Sequence, residues 1–241
     1  MRYLKGMFLV IVLWYLIGAL VSSPIIPLPD KVLSYLLLHA DEHRMGHHLL
    51  TSLYRILGGL SIGLLLGTTG GLLIGRTRAL DAVISPVLYL LYPLPKIAFL
   101  PVFMVLFGIG DLSKMMLIAT IVFFPAAVSV RDGVQHIAPQ YLLLARAYHL
   151  SARQTFSDIV WPAVLPSLFS SIRITLGISL SVLFINESYA ASHGLGYAIM
   201  NSWIMAQYTA MYAGIVILSL LGLTLYSVTD LIEKQVTHTD H

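Results

Sequence analysis

The sequence predicts an all-α, polytopic membrane protein with six transmembrane helices, and three observations carry that reading. Of 241 residues 58% are hydrophobic and only 10% charged, with mean hydropathy +0.85. Soluble domains carry about 25% charged residues, so most of this surface suits lipid rather than water. Six apolar runs approach the roughly 20 residues a helix needs to cross the hydrocarbon layer. They lie at about 7–21, 49–75, 82–107, 114–130, 165–185 and 208–232. Basic residues also fall unevenly between alternate connections. With the N-terminus inside, the inner segments hold Arg2, Lys5, Arg76, Arg78, Arg131, Arg146, Arg153, Arg173 and Lys234, and the outer ones only Lys31, Arg44 and Lys114. That excess predicts both termini on the cytoplasmic side.

Composition excludes several classes. There is no cysteine, hence no disulfide and no thiolate metal site. The formal charge of +3 and pI near 9.1 fit loop bias, and no Lys/Arg run could track a phosphate backbone. No G-x-x-x-x-G-K-[ST] loop occurs, and Gly67-Thr68-Thr69-Gly70-Gly71 lies inside a span without the lysine such a site needs. Ser192 and His193 near Glu187 are too close in sequence for a nucleophile–base–orienter set. The chain is expected to be no enzyme and to hold no cofactor or metal of its own.

Residues 1–48 read as a first transmembrane helix followed by an outer surface segment. Arg2 and Lys5 ahead of an apolar run ending in Ser22-Ser23 resemble a secretory signal. Five further spans favour an uncleaved helix, since cleavage would leave an odd number. After Pro24, Pro27 and Pro29, residues 30–40 predict a short amphipathic helix lying on the membrane surface. His39, His43 and His47 recur at i, i+4 and i+8 beside Asp41, Glu42 and His48, a spacing that can ligate a transition metal. Gly46 and the membrane border make ordinary interfacial histidines the better reading.

Residues 49–236 form the membrane-embedded core, with 237–241 a C-terminal tail. In the second run Gly59, Gly63, Gly67, Gly71 and Gly75 make one ridge, which permits close approach of another helix; a hinge is the alternative. Arg55 is expected to snorkel to the membrane edge. Pro86, Pro93, Pro95 and Pro101 interrupt the third run, and irregular backbone at membrane depth survives only against protein or a water-filled cavity. Pro93, Pro95 and Lys96 are therefore expected to line an internal path together with Glu187, which ends the fifth run. Lys96 has three readings: a pair with Glu187, a reach to the membrane edge, or attraction of an anionic solute. Gly194, Gly196 and Tyr197 belong to a glycine-punctuated connection, predicted as a tight re-entrant turn that is structural or gates the outer exit. The polar loop at about 131–165 carries Ala145, Ala147 and Ala152, small enough for close contact, and Arg146 and Arg153. It is expected to touch a soluble partner; a solvated helix without one is the alternative.

From about residue 49 to 236 the sequence resembles the integral membrane permeases of ATP-binding-cassette importers, most like the nitrate, sulfonate and taurine class. The resemblance rests on Ser52-Leu53-Tyr54-Arg55 before the glycine ridge, Pro93-Leu94-Pro95 with Pro101, and Phe107-Gly108-Ile109-Gly110. It continues in Ile159-Val160-Trp161-Pro162-Ala163-Val164-Leu165-Pro166, Arg173 with Gly177, Glu187, and Gly194-Leu195-Gly196-Tyr197. It implies a type I importer permease fold in the inner membrane, pairing with a second copy. It further implies cytoplasmic ATPase subunits that hold ATP and Mg, and a periplasmic or lipid-anchored binding protein that delivers a small solute. Sulfonates, taurine and nitrate are the solutes of the class; related systems carry thiamine-pyrimidine precursors. In the family the 131–165 loop forms a coupling helix with the signature E-A-A and a Gly four residues later. Counted back from Pro162 those positions fall on Leu143, Leu144, Ala145 and His149, so only Ala145 matches. The resemblance thus implies ATPase coupling through Ala145, Arg146, His149, Ser151 and Arg153, with the joint at His149 deprived of its glycine. A self-contained secondary transporter would need ion-coupling groups, for which spans two to six offer mainly Lys96 and Glu187, and tends to show internal symmetry, which the sequence does not show.

Overall fold

The computed structural model describes residues 2–21, 23–39 and 44–237, and among them every regular element is helical. The chain divides into two units, Met1–Tyr54 with Phe184–Leu221, and Arg55–Leu183 with Gly222–His241.

The first unit contains α1 (Arg2–Val21) and α2 (Pro29–Leu38). Trp14 of α1 stacks on Tyr212 at 5.6 Å and donates from Nε1 to the Pro27 carbonyl at 3.0 Å. α2 opens on Pro29, whose missing N–H is harmless in a first turn, and buries Val32 while Leu33, Leu37 and Leu38 stay exposed. Of the histidine spacing, His43, Asp41 and Glu42 lie outside the described residues. Among those described, no group of three or more His, Asp or Glu is placed to hold a metal.

Glu187 organises the rest of this unit. It is fully buried near the end of α9 (Trp161–Ala190), at the N-terminus of α10 (Leu195–Ile204). Its carboxylate accepts from Ser52 Oγ at 2.8–2.9 Å and from the Gly196 N–H at 2.9 Å. Ser52 Oγ in turn accepts from the Leu195 N–H at 2.8 Å, and His48 Nδ1 from the Gly194 N–H at 3.0 Å. The first amides of a helix lack intrahelical partners and carry partial positive charge, so a carboxylate is well placed there. Gly194 has φ +119°, a conformation for glycine alone, and a Cβ on Gly196 would lie 2.5 Å from the Phe184 carbonyl. The expected tight turn is therefore a cap that starts a ten-residue helix, which leads to α11 (Tyr208–Thr237).

In the second unit α3 (Met45–Arg76) and α6 (Asp111–Gln135) touch backbone to backbone. A methyl on the ridge would come 2.6 Å from Ile118 at Gly59 and 2.6 Å from the Ala119 carbonyl at Gly63. At Gly67 it would meet the Phe123 carbonyl at 2.8 Å, at Gly71 the Ala127 carbonyl at 2.5 Å, and at Gly75 the Arg131 carbonyl at 2.9 Å. Residue numbers climb together on both helices, so they run parallel. The chain must then return between them, from beside Arg131 to Asp111, along about 30 Å of helix axis. That return is made by α4 (Arg78–Leu91), a 3-10 turn (Lys96–Phe99) and α5 (Leu100–Phe107), whose halves meet at 88°. The third run is accordingly one broken crossing, with its break at the prolines. Arg131 clasps Asp81 through Nε and Nη2 at 2.7 and 3.0 Å, tying the start of α4 to the end of α6.

α9 runs antiparallel to α6: Val164 packs on Gly133, and Leu176 and Leu183 join Ile118 and Val122 in the core with Ile56 and Leu60. α11 reverses again, with Arg173 paired to Asp230 at 2.9 Å and to Glu233, and Gly222 against Leu180. Among the described residues four helices are long and apolar enough to span by themselves, the broken pair is the next, and α1, apolar over Gly6–Val21, is shorter.

Two basic residues depart from expectation. Arg55 does not snorkel; it is 5% exposed and donates from Nε to Asp111 at 2.7 Å, across 56 residues of sequence. Lys114 belongs to no loop, for it is 1% exposed in the first turn of α6 and donates to the carbonyls of Ile109 and Gly110 at 3.1 and 3.2 Å.

Two outcomes are expected from thermal unfolding in detergent. Gly71→Ala should destabilise by about 1–3 kcal/mol through overpacking, whereas Gly70→Ala, whose methyl finds only Phe123 at 3.9 Å, should be neutral or gain up to about 1 kcal/mol of helix propensity. Glu187→Leu should cost about 1–3 kcal/mol by leaving buried donors without their acceptor.

Candidate functional site: coupling loop and membrane groove

The loop between α6 and α9 is built from two short helices. α7 (Pro139–Ala147) opens on a proline and buries Ala145, while Tyr141, Leu142, Leu143, Leu144, Arg146 and Tyr148 are exposed. It ends in a Schellman turn: the Leu150 N–H donates to the Ala145 carbonyl at 2.9 Å and the His149 N–H to Arg146 at 3.1 Å. His149 takes φ +51°, the left-handed region that favours glycine. The glycine expected at this position is absent, yet its backbone conformation is kept, at a cost of about 1–2 kcal/mol for an L-residue. α8 (Ala152–Thr155) follows at once. Ser151 caps it, its hydroxyl accepting from the Gln154 N–H at 3.3 Å while Gln154 Oε1 accepts from the Ser151 N–H at 2.9 Å. Arg153 is exposed on it. A π-helical turn, Phe156–Val160, joins α8 to α9. Pro162 cannot donate to the preceding turn, and the wider register accommodates that loss.

The break in the third crossing is held by Lys96. Its ammonium donates to the carbonyls of Leu91 and Leu94, each at 3.4 Å, and to that of Tyr92, and lies 4.7 Å from the Phe124 ring centroid. These carbonyls close α4, so the cation caps a helix C-terminus at the point where Pro93 and Pro95 turn the chain. Glu187, grouped with Lys96 as a path residue in the sequence reading, has the capping role described above. Gly194 and Gly196 share its junction, and the Tyr197 ring packs 5.8 Å from His48.

A groove of about 680 Å³ opens along α6 and α9. α9 contributes Ser167, Ser170, Ser171 and Thr175; α6 contributes Ser129 and Asp132, with His136 just past its end; Tyr92 completes the rim. Ser171 is 6% exposed and its hydroxyl has no hydrogen-bond partner among the described residues. Sequence reading passed over these residues, although hydroxyls at i, i+3, i+4 and i+8 within an apolar span place one polar face on a helix. Asp111, the partner of Arg55, was missed because nothing local marks it.

Comparison with known proteins follows this geometry. Residues 59–238 match the family model described as binding-protein-dependent transport system inner membrane component. The chain is 32% identical over 239 residues to the aliphatic sulfonates transport permease protein SsuC of Bacillus subtilis (strain 168), covering 97% of this chain and 86% of that protein. It is 29% identical over 219 residues to the taurine transport system permease protein TauC of Escherichia coli (strain K12), covering 88% and 80%. Its fold is similar to a chain of the inward-facing MetNI methionine ABC transporter, with TM-score 0.65 at 20% identity, over 79% of this chain and 94% of that one. The chain belongs to the binding-protein-dependent inner membrane permeases, and it is a transmembrane subunit of an ABC importer.

Proposed function

We propose that this chain, paired with a second copy, forms a translocation path for a small sulfonate, taurine or nitrate-like solute, with six crossings per copy and both termini cytoplasmic. A cytoplasmic ATPase carrying ATP and Mg docks on the loop at Ala145, Arg146, His149, Ser151 and Arg153, and a separate binding protein delivers solute from outside. The carrying observation is the loop itself: two short capped helices, with exposed basic and apolar side chains, joined to α6 and α9 at the side where Arg131 and Val164 lie. Closure of the ATPases on ATP pushes this loop. The π-helical turn passes the push to α9, one wall of the groove, and the crossings rock between inward-open and outward-open. Lys96 and the Pro93–Pro95 break border the path, and the turn at Gly194, Gly196 and Tyr197 serves as structure or as a gate. The similarity to sulfonate and taurine permeases supports the solute class.

Cysteines placed at Arg146 and Arg153 should cross-link to the cognate ATPase, and uptake should vanish when that ATPase cannot hydrolyse ATP. Uptake that continues would overturn the reading in favour of a self-contained transporter. His149→Gly should keep or tighten ATPase association in co-purification. His149→Val, β-branched at positive φ, should weaken it about tenfold or more, a change equal to about 1.4 kcal/mol.

A further inference from the structure

The groove along α6 and α9 has a chemical character of its own. Ala163, Pro166, Ser167, Ser170, Ile174 and Ile178 are exposed on one face of α9. Lipid is a poor solvent for those hydroxyls, and irregular or polar surface at membrane depth belongs against protein or a water-filled path. Ser171 adds a buried hydroxyl whose hydrogen bond no group among the described residues supplies. Such a donor is costly to leave unmade and favours an oxygen acceptor brought in from outside.

The charges in the groove point the other way from an anion site. Its lining contains no Lys or Arg, and its one carboxylate is Asp132. The neighbouring cation, Arg131, is already held by two carboxylates: Asp81 through Nε and Nη2, and Asp132 through Nη1 at 2.7 Å. Both this contact and the Tyr89 hydroxyl at 3.5 Å fall on Asp132 Oδ1. Asp132 and His136 sit at the end of α6 beside the start of α9, because Gly133 packs on Val164. Ser171 and Thr175 lie two to three turns further along a lining that extends about 22 Å from residue 163 to 178. A bare oxyanion would meet hydroxyls and a carboxylate along this lining, while the cations beside it are already held, Arg131 by two carboxylates and Lys96 by three carbonyls. A solute with an amine for Asp132 and oxygen acceptors for the serines would satisfy both ends.

We propose that this groove holds the solute within the membrane and selects one that carries a hydrogen-bond-donating amine beside its oxygen acceptors, as an aminosulfonate does, over a bare oxyanion. The proposal rests on the importer reading and narrows its solute class. Selection here is weak, since a conducting site must release what it binds, and it adds to the choice made by the binding protein.

The test uses the full chain with its cognate ATPase in lipid nanodiscs, without binding protein, and measures equilibrium binding of labelled taurine, ethanesulfonate and nitrate. Taurine should bind at least fivefold tighter than either bare oxyanion. Asp132→Asn should remove that preference, and Ser171→Ala should weaken taurine threefold or more. Ser171 donates to nothing among the described residues, so its alanine variant should fold, as ATPase co-purification will report. A thiamine-pyrimidine precursor that outbinds taurine in an Asp132-dependent way supports the shared amine chemistry and assigns it to a heterocycle. Nitrate or ethanesulfonate binding as tightly as taurine, no binding of any probe, or taurine binding unchanged in both variants overturns the proposal. Failure of the wild-type chain to hold its ATPase would instead overturn the importer reading.

Discussion

The contact between α3 and α6 is the constraint on which the rest depends. Five glycines at four-residue spacing remove every side chain from one stripe of α3, so carbonyls of α6 approach where a Cβ would stand. Association of helices in lipid lacks the hydrophobic term that drives it in water, and close van der Waals packing has to supply the attraction. Because the two helices run parallel, the segment between them has to recross. It does so through the proline break, and α9 and α11 then alternate in direction.

A second theme is the use of helix ends to hold charge away from water. Glu187 takes the open amides at the start of α10, and Lys96 takes the open carbonyls at the end of α4. Lys114 takes carbonyls just ahead of α6, and Asp111, in its first turn, holds Arg55. A lone charge at membrane depth is expensive. Glu187 and Lys96 are offset by partial charges that the helix ends already present, Lys114 by direct bonds to two carbonyls, and Arg55 by the Asp111 carboxylate. Residues that look functional by position thus also have structural contacts.

The loop and the groove share their supports. α6 enters the loop just after Asp132 and Gly133, and α9 leaves it just before Ala163 and Pro166, which also line the groove. One π-helical turn separates α8 from that wall. His149 shows how a family signature can erode without loss of shape. The Schellman hydrogen bonds and the Ser151 cap on either side hold the left-handed conformation that glycine would take unaided.

Much of this was legible in order along the chain. The apolar runs, the glycine ridge, the proline break and the loop are local patterns, and hydropathy and spacing fix them because a bilayer imposes one length and one backbone solution. Arg55 was not legible, since its carboxylate partner lies 56 residues away; Lys96 and Lys114 bond carbonyls two to five residues off, which only the local turn of the backbone aims at them. The hydroxyl face of α9 was visible as spacing, yet its meaning required knowing which side of the helix lipid does not cover. The sequence by itself determined that this is a bundle of membrane helices with one long polar loop. Only the tertiary structure decided which polar groups are spent on one another, because those contacts follow from packing and backbone direction and not from spacing.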